Sequence, residues 1–506
     1  MFADIVAGIS LVFEIENILS ALFGVTAGIV VGAVPGFTDT MAMCLLIPFT
    51  LYLNPIAAIA MLMGLSKGGN FGGSIPAILF NVPGTPQAAV TSFDGYPLAK
   101  QGKSGKALKM ALYASTIADT MSDFILFFFA APVALIALKI GPPEYSMIVL
   151  FSLVVIGVVA SEDLLRGMVS IGIGLFFALI GMDPQLGMPR FSFGIVELTA
   201  GFALVPMVIG LLIVSEAFNQ IEQGVRKEIY GKDVLIKNNK LDEDTFKKNN
   251  SVSFQELKQC FSSILSGVGI GASMGIIPGI GTTVASYLSY THAKRSSKKP
   301  ERFGKGALEG VAAAEAGNNA VVGPNLIPLI TLGIPGNLAA ALILGGFMIQ
   351  GLVPGPLFMK SYAPMLYALF IVLIISNIFT FLVGSVFLKW VRKLTSVPRD
   401  ILYPTIIVFG VVGSYVYRNS LFDVQIMLFL GLLGYILSKY DIPIPPILVA
   451  FILGEIFERK VRQALLISRG SIDIFFTHPI ALLFLVFTIL AIVFLGLRLR
   501  KKVIIK

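Results

Sequence analysis

Long apolar stretches, each close to the length of one membrane-spanning helix, dominate this sequence. A helix needs about 20 mainly apolar residues to cross the hydrocarbon core of a bilayer. Uninterrupted candidates are Ile18–Val34, Met110–Leu138, Tyr145–Ala160, Gly167–Gly181, Leu198–Ser215, Ala363–Leu388, Ile401–Tyr417, Val424–Leu437 and Pro479–Leu497. Only 13% of the 506 residues are charged, too few to cover the surfaces of soluble domains of this total length. The sequence therefore predicts an all-α polytopic membrane protein and excludes a soluble enzyme.

Three further apolar stretches are interrupted by proline. They are Met41–Met63, Ser74–Phe93 and Ala307–Phe358. A Pro-Gly pair breaks a helix, because proline lacks a backbone donor and glycine weakens helical structure. Counting these stretches, we expect ten to thirteen membrane segments, with discontinuous helices and re-entrant hairpins among them.

Two motifs occur once in each half of the chain, in the same order. Gly24, Gly28, Gly32 and Gly36 recur as Gly267, Gly271, Gly275 and Gly279. Ile75-Pro76 followed by Pro83-Gly84 recurs as Ile327-Pro328 followed by Pro335-Gly336. Glycines spaced four apart share one helix face and allow another backbone to approach closely. The pattern indicates an internal duplication.

Basic residues are distributed oppositely in the two copies. Lys100, Lys103, Lys106 and Lys109 follow the second motif of the first copy, whereas six basic residues lie between the motifs of the second copy, within residues 294–305. Because basic loops favour the cytoplasmic side, equivalent loops are expected on opposite sides of the membrane. This arrangement predicts inverted-topology repeats, with residues 94–109, 216–258 and 294–305 all facing the cytoplasm.

The charge pattern also divides the chain. Residues 216–258 hold 16 of the 67 charged residues and are interpreted as a polar cytoplasmic linker, with an amphipathic helix at its start. Residues 1–215 form the first membrane repeat and 259–440 the second. Residues 441–506 contain C-terminal membrane segments and a basic tail.

The four Pro-Gly breaks, at residues 35–36, 83–84, 278–279 and 335–336, are expected to frame one substrate site near the middle of the membrane. Broken helices are tolerated where they line a watery cavity, and their N-termini attract anionic groups. The candidate substrate-binding residues at the breaks are Pro35, Gly36, Thr38, Thr40, Asn81, Pro83, Gly84, Thr85, Thr282, Thr283, Thr331, Pro335, Gly336 and Asn337. The alternative is that the breaks are kinks sealed by neighbouring helices.

Charged and amide side chains near the breaks are further candidates. Asp39, Asn318 and Asn319 are predicted to bind a cation, because carboxylate and amide oxygens are hard ligands; a capping role for Asp39 and helix–helix hydrogen bonds for the asparagines are the alternatives. Three roles are open for Lys67: it contacts an anionic substrate, it pairs with Asp39, or it lies in a loop. Asp119 and Asp123 share a helix face that is expected to be aqueous or protein-lined.

Enzyme signatures are absent from the sequence. The two histidines and two cysteines are isolated, and there is no HExxH or Walker A motif, so no metal site, catalytic site or cofactor is predicted.

With these motifs in place, the chain resembles the large membrane subunit of the tripartite tricarboxylate transporters. The similar stretches are Gly32–Gly36, Phe71–Gly84, Thr91–Gly105, Gly304–Asn319, Leu326–Gly336 and Gly351–Pro356. The resemblance implies secondary uptake of a carboxylate delivered by an extracytoplasmic solute-binding protein, and a second, smaller membrane subunit.

We therefore predict a multi-pass protein of the cytoplasmic membrane that imports a small organic anion, of the dicarboxylate or tricarboxylate class, by alternating access. Transport is expected to be coupled to a cation gradient, either Na⁺ or protons, without a bound cofactor or a nucleic-acid partner. The alternatives are an organic-anion channel without ion coupling and an intramembrane enzyme, for which we find no reactive dyad.

Overall fold

The structure is a computed structural model that describes residues 2–34, 36–161, 163–183, 185–230, 250–394 and 399–504. Helices account for nearly all regular structure in these ranges. The first half contains α1 (Phe2–Val12), α2 (Ile15–Gly32), α3 (Asp39–Leu46), α4 (Pro55–Phe80), α5 (Ala88–Lys100), α6 (Ser104–Ala137), α7 (Pro142–Val159), α8 (Leu164–Ala178), a ribbon of β1 (Gly181–Met182) and β2 (Pro189–Arg190), α9 (Leu204–Val208) and α10 (Ser215–Tyr230).

The second half contains α11 (Phe254–Ile276), α12 (Gly281–Ser296), α13 (Leu308–Asn319), α14 (Val322–Leu332), α15 (Leu338–Ile349), α16 (Phe358–Ser361), α17 (Ala363–Leu394), α18 (Arg399–Arg418), α19 (Leu421–Lys439), α20 (Ile444–Ile467), α21 (Ile474–Thr477) and α22 (Pro479–Ile504). A π-helical segment, Ile209–Val214, joins α9 to α10. This continuous helix crosses residue 216, so the first half continues into the segment that the sequence assigned to the linker.

Seven helices in the described part of the chain are long and apolar enough to cross a membrane. They are Ile15–Gly32, Ser104–Ala137, Pro142–Val159, Leu204–Glu222, Phe254–Ile276, Ala363–Lys389 and Leu421–Lys439. This number is smaller than the ten to thirteen segments expected, because several apolar stretches fold as shorter helices, among them α8 and α15. The chain is a multi-pass, all-helical membrane protein.

The glycine stripes bring helix backbones into direct contact. A Cβ atom added to Gly28 of α2 would lie 2.2 Å from the Leu65 carbonyl oxygen of α4, and one added to Gly68 of α4 would lie 2.3 Å from the Val25 carbonyl oxygen. In the second half, a Cβ on Gly271 of α11 would lie 2.6 Å from the Gly317 carbonyl oxygen of α13. The predicted role of the glycines is confirmed in both halves: only a hydrogen atom fits at these contacts.

The second repeated motif has the same backbone conformation in both copies. Helix α4 ends at Asn81 (φ 58°) and α14 at Gly333 (φ 62°), and both residues adopt the left-handed conformation. The amides that follow them bond back to Pro76 and Pro328, with N···O distances of 3.3 and 3.2 Å. These bonds satisfy carbonyls at the helix ends, as in a Schellman-type cap.

Three basic segments meet at one end of the molecule. The Asp94 carboxylate of α5 accepts hydrogen bonds at 2.8 Å from the amides of Gly304, Gly306 and Ala307. Lys106, at the start of α6, pairs with Glu256 of α11 at 2.6 Å. The ends of the segments 94–109, 216–258 and 294–305 are therefore neighbours in space.

A basic motif near the C-terminus is neutralised by acidic neighbours. Arg462 of α20 pairs with Asp183 beside the β-ribbon at 3.0 Å, and Arg190 pairs with Glu458 at 2.6 Å. Amides of its own loop and the Arg462 guanidinium hold the pKa of Asp183 at about 2. Arg459, which pairs with Glu455 at 2.5 Å, and Arg462 are therefore both in ion pairs with acidic residues.

The glycine contacts predict a position-specific loss of stability. Gly28→Ala forces α2 away from α4 and is expected to lower the thermal unfolding midpoint of the purified protein, with a cost of roughly 1–3 kcal/mol. Gly269→Ala on α11 is the matched control, because nothing lies within 4 Å of a Cβ at that position. Equal midpoints for the two variants would contradict the packing described.

Candidate functional site

A cavity of about 400 Å³ lies where four helices begin, each following one of the Pro-Gly pairs in the sequence. The start of α3 contributes Thr38–Met41, and the start of α15 contributes Asn337–Ala340. Pro86 and Gln87 precede α5, and Thr282 lies in the first turn of α12. All four breaks thus deliver a helix N-terminus to one space.

Other helices complete the wall. The remaining lining residues are Met63, Ser66 and Asn70 of α4; Leu211, Leu212, Ser215, Glu216 and Asn219 of the α9–α10 helix; Val322, Asn325 and Leu326 of α14; Ile343 of α15; Ser438 of α19; and Ile444 and Pro445 of α20. The wall combines apolar side chains with hydroxyls and amides, as small-molecule sites do, and its volume lies in their range.

The four N-termini differ in how they are capped. The Thr38 hydroxyl accepts from the Met41 amide at 3.3 Å, and the Asn337 side chain accepts from the Ala340 amide at 2.9 Å. Helices α5 and α12 both begin with no side-chain cap, but the Ala88, Ala89 and Val90 amides of α5 donate to carbonyls of the preceding turn. A helix N-terminus carries about half a positive charge on its unpaired amides, so Thr282 marks the turn best able to bind an external anion.

The charged residues in the cavity lining are both acidic. Asp39 lies in the first turn of α3 and is largely buried. Its Cβ packs against Gly69 of α4, so a side chain at residue 69 would collide with it. Glu216 accepts a hydrogen bond from Gln220 at 2.7 Å. No lysine, arginine or histidine is among the residues that line the cavity in the described ranges.

The structure brings five of the sequence-predicted site residues together. Thr38, Asp39, Thr40, Thr282 and Asn337 line the cavity. The predicted residues that do not line it are Gly36, Asn81, Pro83, Gly84, Thr85, Thr283, Thr331, Pro335 and Gly336. Pro35 lies outside the described residues.

The Pro-Gly pairs of the second motif form backbone contacts. A Cβ on Gly84 would lie 2.4 Å from the Gly32 carbonyl oxygen, and one on Gly336 would lie 2.0 Å from Asn325 Oδ1. The Gly279 amide donates to the Gly336 carbonyl at 2.8 Å, which joins the two breaks of the second half. The pairs position the helices that follow them, and the residues after each pair reach the cavity.

Lys67 is not in a loop and does not pair with Asp39. It lies inside α4, which runs unbroken through residues 66–70, and its ammonium group is fully buried. The ammonium donates to Asp123 of α6 and, at 2.8 Å, to Asn377 Oδ1 of α17. The predicted contact with an anionic substrate is therefore replaced by an internal ion pair, and Asp123 has the protein-lined surroundings that its helix face predicted.

Asn318 and Asn319 also lie outside the cavity lining. Both are buried at the end of α13, and Asn319 donates to Ser115 of α6 at 2.9 Å. Neither polar atom of Asn318 has a hydrogen-bond partner. The structure does not bring the two asparagines together with Asp39 in the cavity.

Sequence reasoning missed several lining residues. Ser66 and Asn70 recur at helical spacing with Met63, which is a signal of one polar helix face within an apolar segment. Asn70 accepts from Gln87 at 2.8 Å. The sequence gives no comparable sign that Glu216 and Asn219 line a site, because they lie at the start of the charged segment interpreted as a linker.

Comparisons with known proteins identify one family and two uncharacterised relatives. Residues 18–449 match the Tripartite tricarboxylate transporter TctA family. An uncharacterised 52.8 kDa protein in the TAR-I ttuC′ 3′ region of Agrobacterium vitis is 36% identical over 488 residues, covering 94% of this chain and 93% of that protein. An uncharacterised protein in the TAR-II ttuC′ 3′ region of the same organism is 39% identical over 212 residues, 42% of this chain and 87% of that protein.

No solved structure matches the chain. The family match covers most of the sequence and contains all four Pro-Gly breaks and the helices that begin after them. The chain therefore belongs to the TctA family, the large membrane subunits of the tripartite tricarboxylate transporters.

Proposed function

We propose that this chain carries a small organic anion, of the dicarboxylate or tricarboxylate class, through the cavity at the four helix N-termini. The observation that carries the proposal is that four separate breaks in the sequence deliver four helix starts to one space of about 400 Å³. Partial positive charges converging on one cavity suit an anion with several carboxylates. The family match supports the same substrate class.

Charge balance supports coupling to a cation. The cavity wall offers hydroxyls, amides and helix termini to an anion, but it also holds Asp39 and Glu216. A multiply charged carboxylate entering beside two acidic groups needs compensating positive charge, because like charges repel strongly where water is scarce. A cation that binds with the substrate supplies this charge. Asp39, beside the substrate space, is its proposed ligand, with Na⁺ or a proton as the cation.

A carboxylate is proposed to dock on the uncapped start of α12. Thr282→Glu places a negative charge in that turn, where an acidic residue is favourable for the helix itself. We expect folding to be kept and the apparent affinity for substrate to fall roughly tenfold or more, from charge repulsion of 1–4 kcal/mol. Uptake of radiolabelled di- and tricarboxylates measures the effect. Thr283→Glu is the matched control, since this exposed neighbour lies outside the cavity lining; equal losses in both variants would contradict the docking.

The role of Asp39 predicts a change in ion dependence. Asp39→Asn removes one negative charge beside the substrate while keeping the side-chain shape. We expect the cation concentration for half-maximal uptake to rise about tenfold, with the order of preferred substrates unchanged. Glu197→Gln, at an exposed position away from the cavity, serves as the control. Unchanged ion dependence in Asp39→Asn would remove Asp39 from the coupling.

We infer that the two halves are inverted repeats that support alternating access. Helix α5, which follows the second motif of the first half, contacts the loop between the motifs of the second half, through Asp94 and residues 304–307. These segments are not equivalent in the duplication. If these two non-equivalent segments lie on the same side of the membrane, each lies on the opposite side from its own counterpart in the other half. That is the pattern of an inverted repeat.

This topology predicts which residues are accessible from outside the cell. Cysteines replacing the exposed Lys100 and Lys298 should resist an impermeant thiol reagent in intact cells and react after the membrane is opened. A cysteine replacing Lys139 should react from outside, because α6 begins beside the basic loops and its 34 residues span about 50 Å. The native Cys44 and Cys260 are buried. Labelling of Lys100→Cys or Lys298→Cys in intact cells would exclude the topology.

Membership of the family implies a tripartite system with other subunits. We propose that the partners are a smaller membrane subunit and an extracytoplasmic solute-binding protein that presents the carboxylate, and that the complex lies in the cytoplasmic membrane. Transport assays of the variants above therefore use the chain together with these partners.

A further inference from the structure

A second polar centre lies outside the cavity lining, where four helices meet. It contains Lys67 of α4, Asp119 and Asp123 of α6, Glu315 of α13 and Asn377 of α17. The four ionisable side chains are each 0% exposed. One basic group and three acidic groups are thus enclosed together, and the function proposed above uses none of them.

Lys67 and Asp123 compensate each other. The Lys67 ammonium donates to the Asp123 carboxylate, to Asn377 Oδ1 at 2.8 Å and to the Leu373 carbonyl at 3.4 Å. The Asn377 amide also donates to Asp123, at 2.7 Å. The opposite charges and the additional hydrogen bonds stabilise this buried ion pair.

Glu315 is surrounded by hydrogen-bond donors. Hydroxyls of Ser74, Thr91 and Ser115 donate to its carboxylate, the last at 2.9 Å, and the Asn319 amide approaches at 3.5 Å. An ionised carboxylate is an acceptor only, and several hydroxyl donors on one carboxylate suit that form. Among the acids of the centre, Glu315 is therefore the one whose surroundings best stabilise a negative charge.

Asp119 has no such support. Neither of its carboxyl oxygens has a hydrogen-bond partner, although the charges of Lys67, Asp123 and Glu315 all act on it. Lys67 is already balanced by Asp123, so ionising Asp119 would add a second uncompensated charge at a fully buried position. Such a charge costs several kcal/mol, and protonation of the group removes that cost.

An unused acceptor lies on the helix opposite. Asn319 donates through Nδ2 to Ser115, which is one turn before Asp119 on α6, while Asn319 Oδ1 is fully buried and has no partner. A carboxylic acid needs an acceptor for its O–H group, whereas a carboxylate would be repelled by the oxygen. An unused buried acceptor therefore lies on α13 beside the Ser115 turn of α6, and Asp119 occupies the next turn of that helix.

We propose that Asp119 is a proton-carrying group of the transporter, neutral in the conformation described here. On release, the O–H bond of Asp119 breaks, the electron pair stays on the carboxylate and the proton passes to water admitted on one side of the membrane. On reloading, a proton from water on the other side restores the bond. The link to transport rests on the function proposed above; the protonation of Asp119 does not.

The charged groups that face Asp119 are Lys67, Asp123 and Glu315. The other charged residues on the described elements packed against α6 are Asp94, Lys100, Lys106, Lys109, Glu256, Lys258, Glu309, Lys360 and Lys389. Asp94 is bound to the amides of residues 304–307, and Lys106 is paired with Glu256. Asp119 is thus separated from the basic loops.

Infrared spectroscopy of the purified full-length chain tests the protonation directly. At pH 7 the wild type should show the carbonyl stretch of a protonated carboxyl group, with its usual shift in D₂O, and Asp119→Asn should lose that band. Glu315→Gln is the matched buried control and should keep it. A band unchanged in Asp119→Asn, or lost in Glu315→Gln instead, would overturn the proposal. If the asparagine variant does not fold, Asp119→Ser gives the same readout.

Proteoliposomes containing the chain and its partner subunits test the coupling. An inward proton gradient of one pH unit should support about tenfold substrate accumulation for each proton carried. Asp119→Asn should lose this accumulation and keep substrate exchange. Wild-type accumulation in the variant would overturn proton carriage by Asp119 and leave the transport function standing. Absence of carboxylate transport in the wild type would refute the proposed function instead, while the infrared result would still decide whether Asp119 is protonated.

Discussion

The broken helices depend on one constraint: backbone amides and carbonyls freed within an apolar environment must find partners inside the protein. The breaks meet this requirement through close backbone contact. The Gly279 amide bonds to the Gly336 carbonyl at 2.8 Å, and the Gly84 amide bonds to the Gly73 carbonyl at 3.1 Å. A side chain at Gly84 would hold the backbones apart, because its Cβ would lie 2.4 Å from the Gly32 carbonyl oxygen and 2.9 Å from the Gly73 Cα. The same small residues that let helices pack in lipid therefore also allow the chain to open a polar cavity between them.

Local features of the fold could be predicted from the sequence, because their causes are local. Glycines at a spacing of four identify a helix face whatever the partner, and a Pro-Gly pair stops a helix in any context. The glycine stripes are confirmed as close backbone packing in both halves, and both copies of the second motif are confirmed as helix ends with left-handed caps. The grouping of the four following helix starts could be proposed because the motifs occur in pairs.

Long-range partners could not be predicted. Lys67 is followed by two glycines, which suggest a loop, but its ion pair with Asp123 stabilises a continuous α4. Nothing near Lys67 in the sequence points to a partner 56 residues away. Thr282 lines the cavity and Thr283 does not, a difference set by the rotation of α12 about its axis. Packing against other helices decides that rotation, so residue type alone assigns both threonines to the site.

The two polar centres handle charge in opposite ways. The cavity is lined by neutral donors and two acids, so the anion binding proposed for it requires compensating positive charge. The buried centre contains its own cation, Lys67, already matched by Asp123. Of its two remaining acids, Glu315 accepts hydrogen bonds from hydroxyl groups and Asp119 has no hydrogen-bond partner. Charge at the buried centre can therefore change by one proton without breaking the ion pair that holds α4 against α6.

Helices α4 and α5 belong to both centres. On α4, Ser66 and Asn70 face the cavity, while Lys67 reaches Asp123. On α5, Gln87 lines the cavity and bonds to Asn70, and Thr91, one turn later, donates to Glu315. Successive residues on a helix point about 100° apart, so one rigid helix presents different faces to the two sites. If substrate binding shifts α4 or α5, it also shifts the hydrogen-bond donors around Glu315. By the reciprocity of linkage, a change of charge at the buried centre alters the free energy of substrate binding in the cavity by the same amount.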